Sequence, residues 1–173
     1  NAGSREKLQQ AFGITAVADL AEGIATSDVI LLSVKPQQLF ELTQKLVPLL
    51  KNQLTISIAA GIRATDIMRW LGGYQRVVRA MPNTPSLVRS GVTGLYAAPS
   101  VDARDRTSAE SILAAVGSTL WVDDEEMLHA VTAISGSGPA YVFYFIEAIQ
   151  QAAIEVGLSA AQARQLSWQT FAG

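Results

Sequence analysis

The segment Asp28-Val29-Ile30-Leu31-Leu32-Ser33-Val34-Lys35-Pro36 decides the fold. Its apolar residues run on without a polar alternate. That is the pattern of a strand covered on both faces, as in a parallel sheet with helices above and below. The run stops abruptly at Lys35-Pro36. In an open α/β sheet, ligands bind beyond the carboxyl ends of the strands. Lys35 and Pro36 therefore stand where a ligand would lie, with a solvated strand-end lysine as the plainer alternative.

Downstream the pattern repeats. Leu39, Leu42, Leu46, Val47 and Leu50 have helical spacing, and Pro48 ends or bends that helix. Leu54-Thr55-Ile56-Ser57-Ile58 is a second buried strand, closing on Ala59-Ala60-Gly61. Such small residues either let a flat ligand reach the main chain or serve tight strand–helix packing. Ile67, Trp70 and Leu71 give a short helix stopped by Gly72-Gly73. Arg76-Val77-Val78-Arg79-Ala80-Met81 is a third strand, ending in Pro82-Asn83-Thr84-Pro85. Two prolines around Asn-Thr make a loop with few conformations to lose. Asn83 there is either a fixed donor and acceptor for a ligand or the centre of an Asx-type turn. Residues 91–96 form a glycine-weakened fourth strand. Ala109, Ile112, Leu113 and Val116 mark a helix, and residues 119–122 a last short strand. Upstream, residues 4–12 read as a helix with Leu8 and Phe12 on one face and Gly13 at its end. Asp19 caps a short helix to about Ala25.

After residue 122 the strands stop. Asp123 or Asp124 caps a helix whose first turn carries Glu125 and Glu126, as the macrodipole prefers. Cap chemistry explains these four carboxylates better than catalysis does. Ala130-Val131-Thr132-Ala133-Ile134-Ser135-Gly136-Ser137-Gly138-Pro139-Ala140-Tyr141 follows. Its glycines allow close approach to the backbone, and Pro139 suits the first turn of a new helix. Bare N–H groups at that turn would hold an anionic group; a helix–helix hinge is the alternative. Residues 141–156 are apolar almost all round, with Glu147, Gln151 and Glu155 as a narrow polar stripe. Such a helix needs to be buried, and one further helix, opened by the capping-box pair Ser159 and Gln162, cannot cover it. The expectation is a second subunit or further chain on this helix. Strands alternating with helices, then helices alone, make an α/β chain. The expected architecture is an incomplete doubly wound sheet over residues 1–123, leading into a helical domain from residue 124.

Composition limits the function. The chain has 173 residues, 49% hydrophobic and 16% charged, with a net charge of −2. That is a globular chain, with no basic block to favour nucleic acid or an anionic membrane surface. There is no cysteine, which excludes thiolate catalysis and cysteine-held metal, and His129 is the only histidine. No apolar run is long enough to span a bilayer.

Together, Ser33-Val34-Lys35-Pro36-Gln37, Ile56-Ser57-Ile58-Ala59-Ala60-Gly61, Val78-Arg79-Ala80-Met81-Pro82-Asn83-Thr84-Pro85 and the segment from Val131 to Tyr141 resemble one family, pyrroline-5-carboxylate reductase. The match runs in order along essentially the whole chain. The resemblance implies a cytoplasmic oxidoreductase that uses NADPH (or NADH) to reduce a cyclic imine, 1-pyrroline-5-carboxylate, to L-proline, the last step of proline biosynthesis. It implies a Rossmann domain followed by the start of an all-helical dimerisation domain, a homo-oligomer formed through helix 141–156, and no nucleic-acid or membrane partner. Cofactor contacts would fall on Ser33, Val34, Lys35, Pro36, Ala59, Ala60, Gly61 and Asn83. The imine pocket would fall on Ser135, Gly136, Ser137 and Gly138. No catalytic acid is required, because a cyclic imine is readily protonated, and no metal is implied.

The departures from the family pattern are specific. Nothing here matches the family's N-terminal Gly-rich turn, which holds the pyrophosphate, or its Ser-Pro-Gly-Gly-Thr-Thr substrate segment. The 173 residues therefore read as an internal piece, expected not to turn over by themselves. Leu20 replaces a frequent asparagine, and Arg63 stands where a small helix cap is usual. Ser4 and Arg5 loosely match the residues near the adenosine 2′-phosphate. Two other functions fit parts of the sequence. One is a β-hydroxyacid-dehydrogenase-like NADP oxidoreductase, disfavoured because the helices from Asp123 onward contain no lysine. The other is a non-catalytic assembly module that keeps a reductase shell.

Overall fold

A computed structural model describes residues 2–172. The element order is α1 (Ala2–Phe12), α2 (Leu20–Ala25), β1 (Val29–Leu32), α3 (Pro36–Leu46), β2 (Leu54–Ser57), α4 (Ala64–Trp70) and β3 (Val77–Met81). There follow a 3-10 turn (Thr84–Val88), β4 (Gly91–Ala97), α5 (Ala103–Ala114), β5 (Gly117–Trp121), α6 (Met127–Val131), a π turn (Thr132–Gly136), α7 (Gly138–Glu155) and α8 (Ala160–Ala172).

The strands form one sheet in chain order, β1-β2-β3-β4-β5. β1, β2 and β3 run parallel, β4 is antiparallel to β3, and β5 is parallel to β4. The reversal at β4 has a simple cause. The connection from β3 to β4 is too short for the crossover a parallel neighbour needs. Helices cover both faces. Alternate residues of β3 serve opposite cores: Val78 and Ala80 pack with Leu54, Ile56 and Leu95 against Ala109 and Leu113 of α5. Val77 turns the other way, toward Leu39 and Leu46 of α3 and Ile67 of α4. This is the doubly wound arrangement expected from the alternation.

Three expectations need correction. The deciding strand is not covered on both faces: Leu31 of β1 is 43% exposed. Among the described residues β1 pairs with β2 alone, so it is an edge strand with one flank bare. The glycine-serine stretch is not a break between helices either. Ser137 keeps helical angles (φ −88°, ψ −18°), and its N–H donates to the Thr132 carbonyl at 2.8 Å, five residues back. The helical path widens by one residue and continues. Finally, helix 141–156 begins three residues earlier, at Gly138, with Pro139 in its first turn as predicted. Only Ile146 of it is buried. Tyr141, Phe143, Tyr144 and Phe145 stay exposed, although Phe143 touches Trp168 and Phe145 touches Phe171 across the α7–α8 pair.

Candidate functional site

The parallel strands β1, β2 and β3 place their carboxyl ends on one edge of the sheet. Residues 33–36, 58–63 and 82–85 leave from that edge side by side. The second starts against the end of β1, where the Ile58 N–H donates to the Leu32 carbonyl at 3.3 Å. Ser33 and Lys35 are exposed, Val34 and Pro36 half-buried. Lys35 is extended (φ −61°, ψ 145°) and precedes α3, whose first turn holds Pro36. At the end of β2 the Ser57 hydroxyl accepts the Ala59 N–H at 3.3 Å. Ala59 is buried, Ala60 and Gly61 are exposed, and Gly61 has φ +77°, a conformation that favours glycine. A Cβ placed there would meet nothing within 4 Å. The surface above Ala60 and Gly61 is thus flat backbone.

Arg63, the residue before α4, makes no side-chain cap. The cap comes from a distant residue. The Glu125 carboxylate Oε1 accepts the Ala64 N–H at 2.6 Å and also the Arg79 Nη1 at 2.6 Å. Arg63 pairs with Glu126 at 2.5 Å. Two carboxylates thereby tie the segment before α6 to the loop that follows β2. The expectation that Glu125 serves its own helix is corrected on this point: its partners lie on α4 and β3. Glu126 reaches both Arg63 and, at 3.5 Å, His129 of α6, and Asp124 behaves as a local cap, accepting the Glu126 N–H at 3.0 Å.

The end of β3 receives the π turn. Asn83 Oδ1 accepts the Val92 N–H at 2.9 Å, and Asn83 Nδ2 donates to the Ser135 carbonyl at 3.2 Å. A Cβ at Gly136 would lie 3.0 Å from the Met81 methyl, and one at Gly94 would lie 2.7 Å from Val131 Cγ1. These two glycines are what let the helical path lie close on β3 and β4. The four expected pocket residues, Ser135 to Gly138, are therefore brought to the same edge as the expected cofactor residues. Most of the N–H groups expected to be bare there have partners. Ser137 donates within the helix, Ala140 and Tyr141 donate to the Ser137 carbonyl, and Pro139 has no N–H. The Ser135 hydroxyl is also spent, donating to the Val131 carbonyl at 2.9 Å.

Sequence reasoning passed over the pairing of Arg79 with Glu125. A charge in the middle of an otherwise apolar strand was the signal for Arg79. Its partner lies 46 positions away and carries no local signal. Beside the π turn, Val92, Leu120, Met127, Val131 and Ile134 line an apolar groove of about 450 Å³. A cleft of about 570 Å³ lies at the opposite edge of the sheet, where Arg76 pairs with Asp105 at 2.7 Å. None of the expected site residues lines it. Among the described residues there is no cluster of His, Asp and Glu able to hold a metal ion, and no helix long and apolar enough to cross a membrane.

Comparison with known proteins bears on this edge. Residues 125–173 match the family model "pyrroline-5-carboxylate reductase dimerisation", and residues 1–61 match "NADP oxidoreductase coenzyme F420-dependent". The pyrroline-5-carboxylate reductase of Pseudomonas aeruginosa is 48% identical over 170 residues, 98% of this chain and 62% of that protein. The structure of a pyrroline-5-carboxylate reductase from Coxiella burnetii is similar with a TM-score of 0.92 at 42% identity, over 97% of this chain and 63% of that one. Plasmodium falciparum pyrroline carboxylate reductase, solved with NADP bound, gives a TM-score of 0.82 at 31% identity, over 91% of this chain and 60% of that one. The chain spans less than two thirds of the length of each of these relatives. The fold is that of a Rossmann-like oxidoreductase sheet leading into a helical dimerisation segment.

Proposed function

We propose that this chain, which belongs to the pyrroline-5-carboxylate reductase family, serves the NAD(P)H-dependent reduction of 1-pyrroline-5-carboxylate to L-proline, the last step of proline biosynthesis. The observation that carries the reading is the shared edge. Three strand ends open there onto small residues and proline-stiffened loops, and Asn83 joins them to the turn at Ser135.

The edge fits a dinucleotide. Ala59, Ala60 and Gly61 carry no side chain beyond Cβ, a Cβ at Gly61 would have free space, and Ser33 and Lys35 are accessible. NADPH (or NADH), when bound, supplies the hydride for the imine carbon. The chain's own part is to hold and orient. Residues 33–36 and 59–61 bind the cofactor backbone-first. Residues 135–138 and the 82–85 loop border the imine and keep water from it. No side chain of these segments acts as a strong acid, and none is needed for an imine that arrives protonated.

Residues 1–123 form the cofactor-binding part and residues 124–173 the dimerisation and substrate part. Exposure of Tyr141, Phe143, Tyr144 and Phe145 supports a homo-oligomer built on helix 141–156. The family reading also assigns the reaction to the cytoplasm. The test of the whole reading is imine-dependent oxidation of NADPH by the native gene product. A folded preparation that binds NADPH but leaves the imine unreduced would overturn it.

A further inference from the structure

We propose that Asn83 is a positioning residue that seats the Ser135–Gly138 turn, and that it acts on the imine rather than on the cofactor; this rests on the reductase reading above. Each half of its amide supplies a bond that the main chain leaves unmade. In the antiparallel β3–β4 pair, Met81 stands opposite Gly94, so Asn83 stands opposite Val92. The main-chain acceptor there would be the Asn83 carbonyl, which takes the Ser86 N–H at 3.1 Å, and the Asn83 side-chain oxygen takes the Val92 N–H in its place. In the helical path, the donor for the Ser135 carbonyl would be the residue four positions on. That residue is Pro139, which has no N–H. The N–H groups of Ala140 and Tyr141 go to the Ser137 carbonyl instead. Asn83 Nδ2 supplies the missing donor from the sheet side. The two partners fix which way the amide points.

This assignment makes the residue type specific. Aspartate keeps the bond to Val92 and turns a second oxygen against the Ser135 carbonyl. Alanine loses both bonds. The amide oxygen and one of its two N–H groups are taken by Val92 and Ser135, so a cofactor contact would have only the second N–H to use. Besides this bond, the π turn is held on β3 by the contact of Gly136 with Met81, so its loss frees the segment that borders the imine.

The test is the Asn83→Asp variant of the native protein, with NADPH affinity read by fluorescence titration and imine kinetics read separately. The inference expects the imine KM to rise about tenfold or more, with NADPH affinity within about twofold of the parent. Amide exchange across residues 132–141 should rise with it. An equal loss of NADPH affinity would overturn the inference, since Asn83 would then be touching the cofactor. Unchanged KM and unchanged exchange would overturn it too. If Asn83→Asp does not fold, Asn83→Ala tests the same split without an added charge. Adding Pro139→Ala to either variant restores a backbone N–H opposite Ser135. Partial recovery of KM supports the inference, and no recovery contradicts a role through that carbonyl. Wild-type protein that binds NADPH without reducing the imine would remove the reductase reading alone. The exchange measurement would still judge the seating of the turn.

Discussion

Replacing Glu125 with glutamine should be the most damaging conservative change in the first 130 residues. The side chains of Arg79 and Glu125 are 9% and 14% exposed, and their closest atoms are 2.6 Å apart. Glutamine keeps an oxygen for the Ala64 N–H but leaves the Arg79 guanidinium charged, buried and unpaired. Removing one partner of a buried pair costs about 3–5 kcal/mol. For a chain of this size that is a fall in Tm of roughly 6–20 °C, at about 2–4 °C per kcal/mol. Glu125→Ala should cost more, by about 1–3 kcal/mol, because the first N–H of α4 also loses its acceptor. The double variant Arg79→Met with Glu125→Gln removes the stranded charge and keeps that acceptor. It should recover most of the loss, giving a coupling energy of at least about 2 kcal/mol in a double-mutant cycle. Urea unfolding of the four proteins measures every term. A cost below about 1 kcal/mol for Glu125→Gln, with the two single changes simply additive, would rule out a coupled buried pair. The pair would then be behaving like a surface ion pair.

Three further outcomes follow from other contacts. Gly94→Ala puts a Cβ 2.7 Å from Val131 Cγ1 and should destabilise by about 1–3 kcal/mol through overpacking of α6 on β4, read from the shift in the unfolding midpoint. Burial raises the Tyr74 pKa above its ordinary value of 10.0. The stability this contributes is complete below pH 10 and is lost as pH rises through the raised value. Tyr74→Phe should therefore weaken the alkaline loss in a pH series of unfolding curves, and cost about 1 kcal/mol at neutral pH by losing the bond to the Gln53 carbonyl. Tyr144 is 76% exposed, so Tyr144→Glu should cost a single chain no more than about 0.5 kcal/mol. It should nevertheless shift the native protein toward smaller species in sedimentation velocity, and an unchanged distribution would count against helix 141–156 as the oligomer contact.

The elements that position the site were readable wherever a local rule governs them. Continuous apolar runs ended by prolines or glycines gave β1 to β3 and their carboxyl-end loops. Gly13 closes α1 with φ +63°, its N–H bonded to the Gln9 carbonyl at 2.9 Å, as its place after a helical run requires. Legibility failed where partners lie far apart in the chain. The bareness of Leu31 depends on what flanks β1, and periodicity does not report neighbours. The cap of α4 comes from Glu125, 61 positions away, so an acidic quartet that satisfies a local capping rule hides a long-range one. The π turn was masked for a related reason: glycine and serine mark a turn, but Ser135, Gly136 and Ser137 stay helical because Asn83 and Met81 hold them from the sheet. Asn83 itself was read as having either a ligand role or a turn role. Its side chain closes no Asx-type turn but bridges Val92 and Ser135, and it is the register with Val92 and the missing N–H of Pro139 that explain why.

The proposed function requires that one sheet edge bring an NAD(P)H-binding surface and an imine pocket together. The most direct test is to mix the native gene product with 1-pyrroline-5-carboxylate and NADPH and to follow cofactor oxidation and proline together. One proline should form for each NADPH consumed, with no consumption when the imine is left out. NADPH bound by folded protein, but no proline formed, would contradict it.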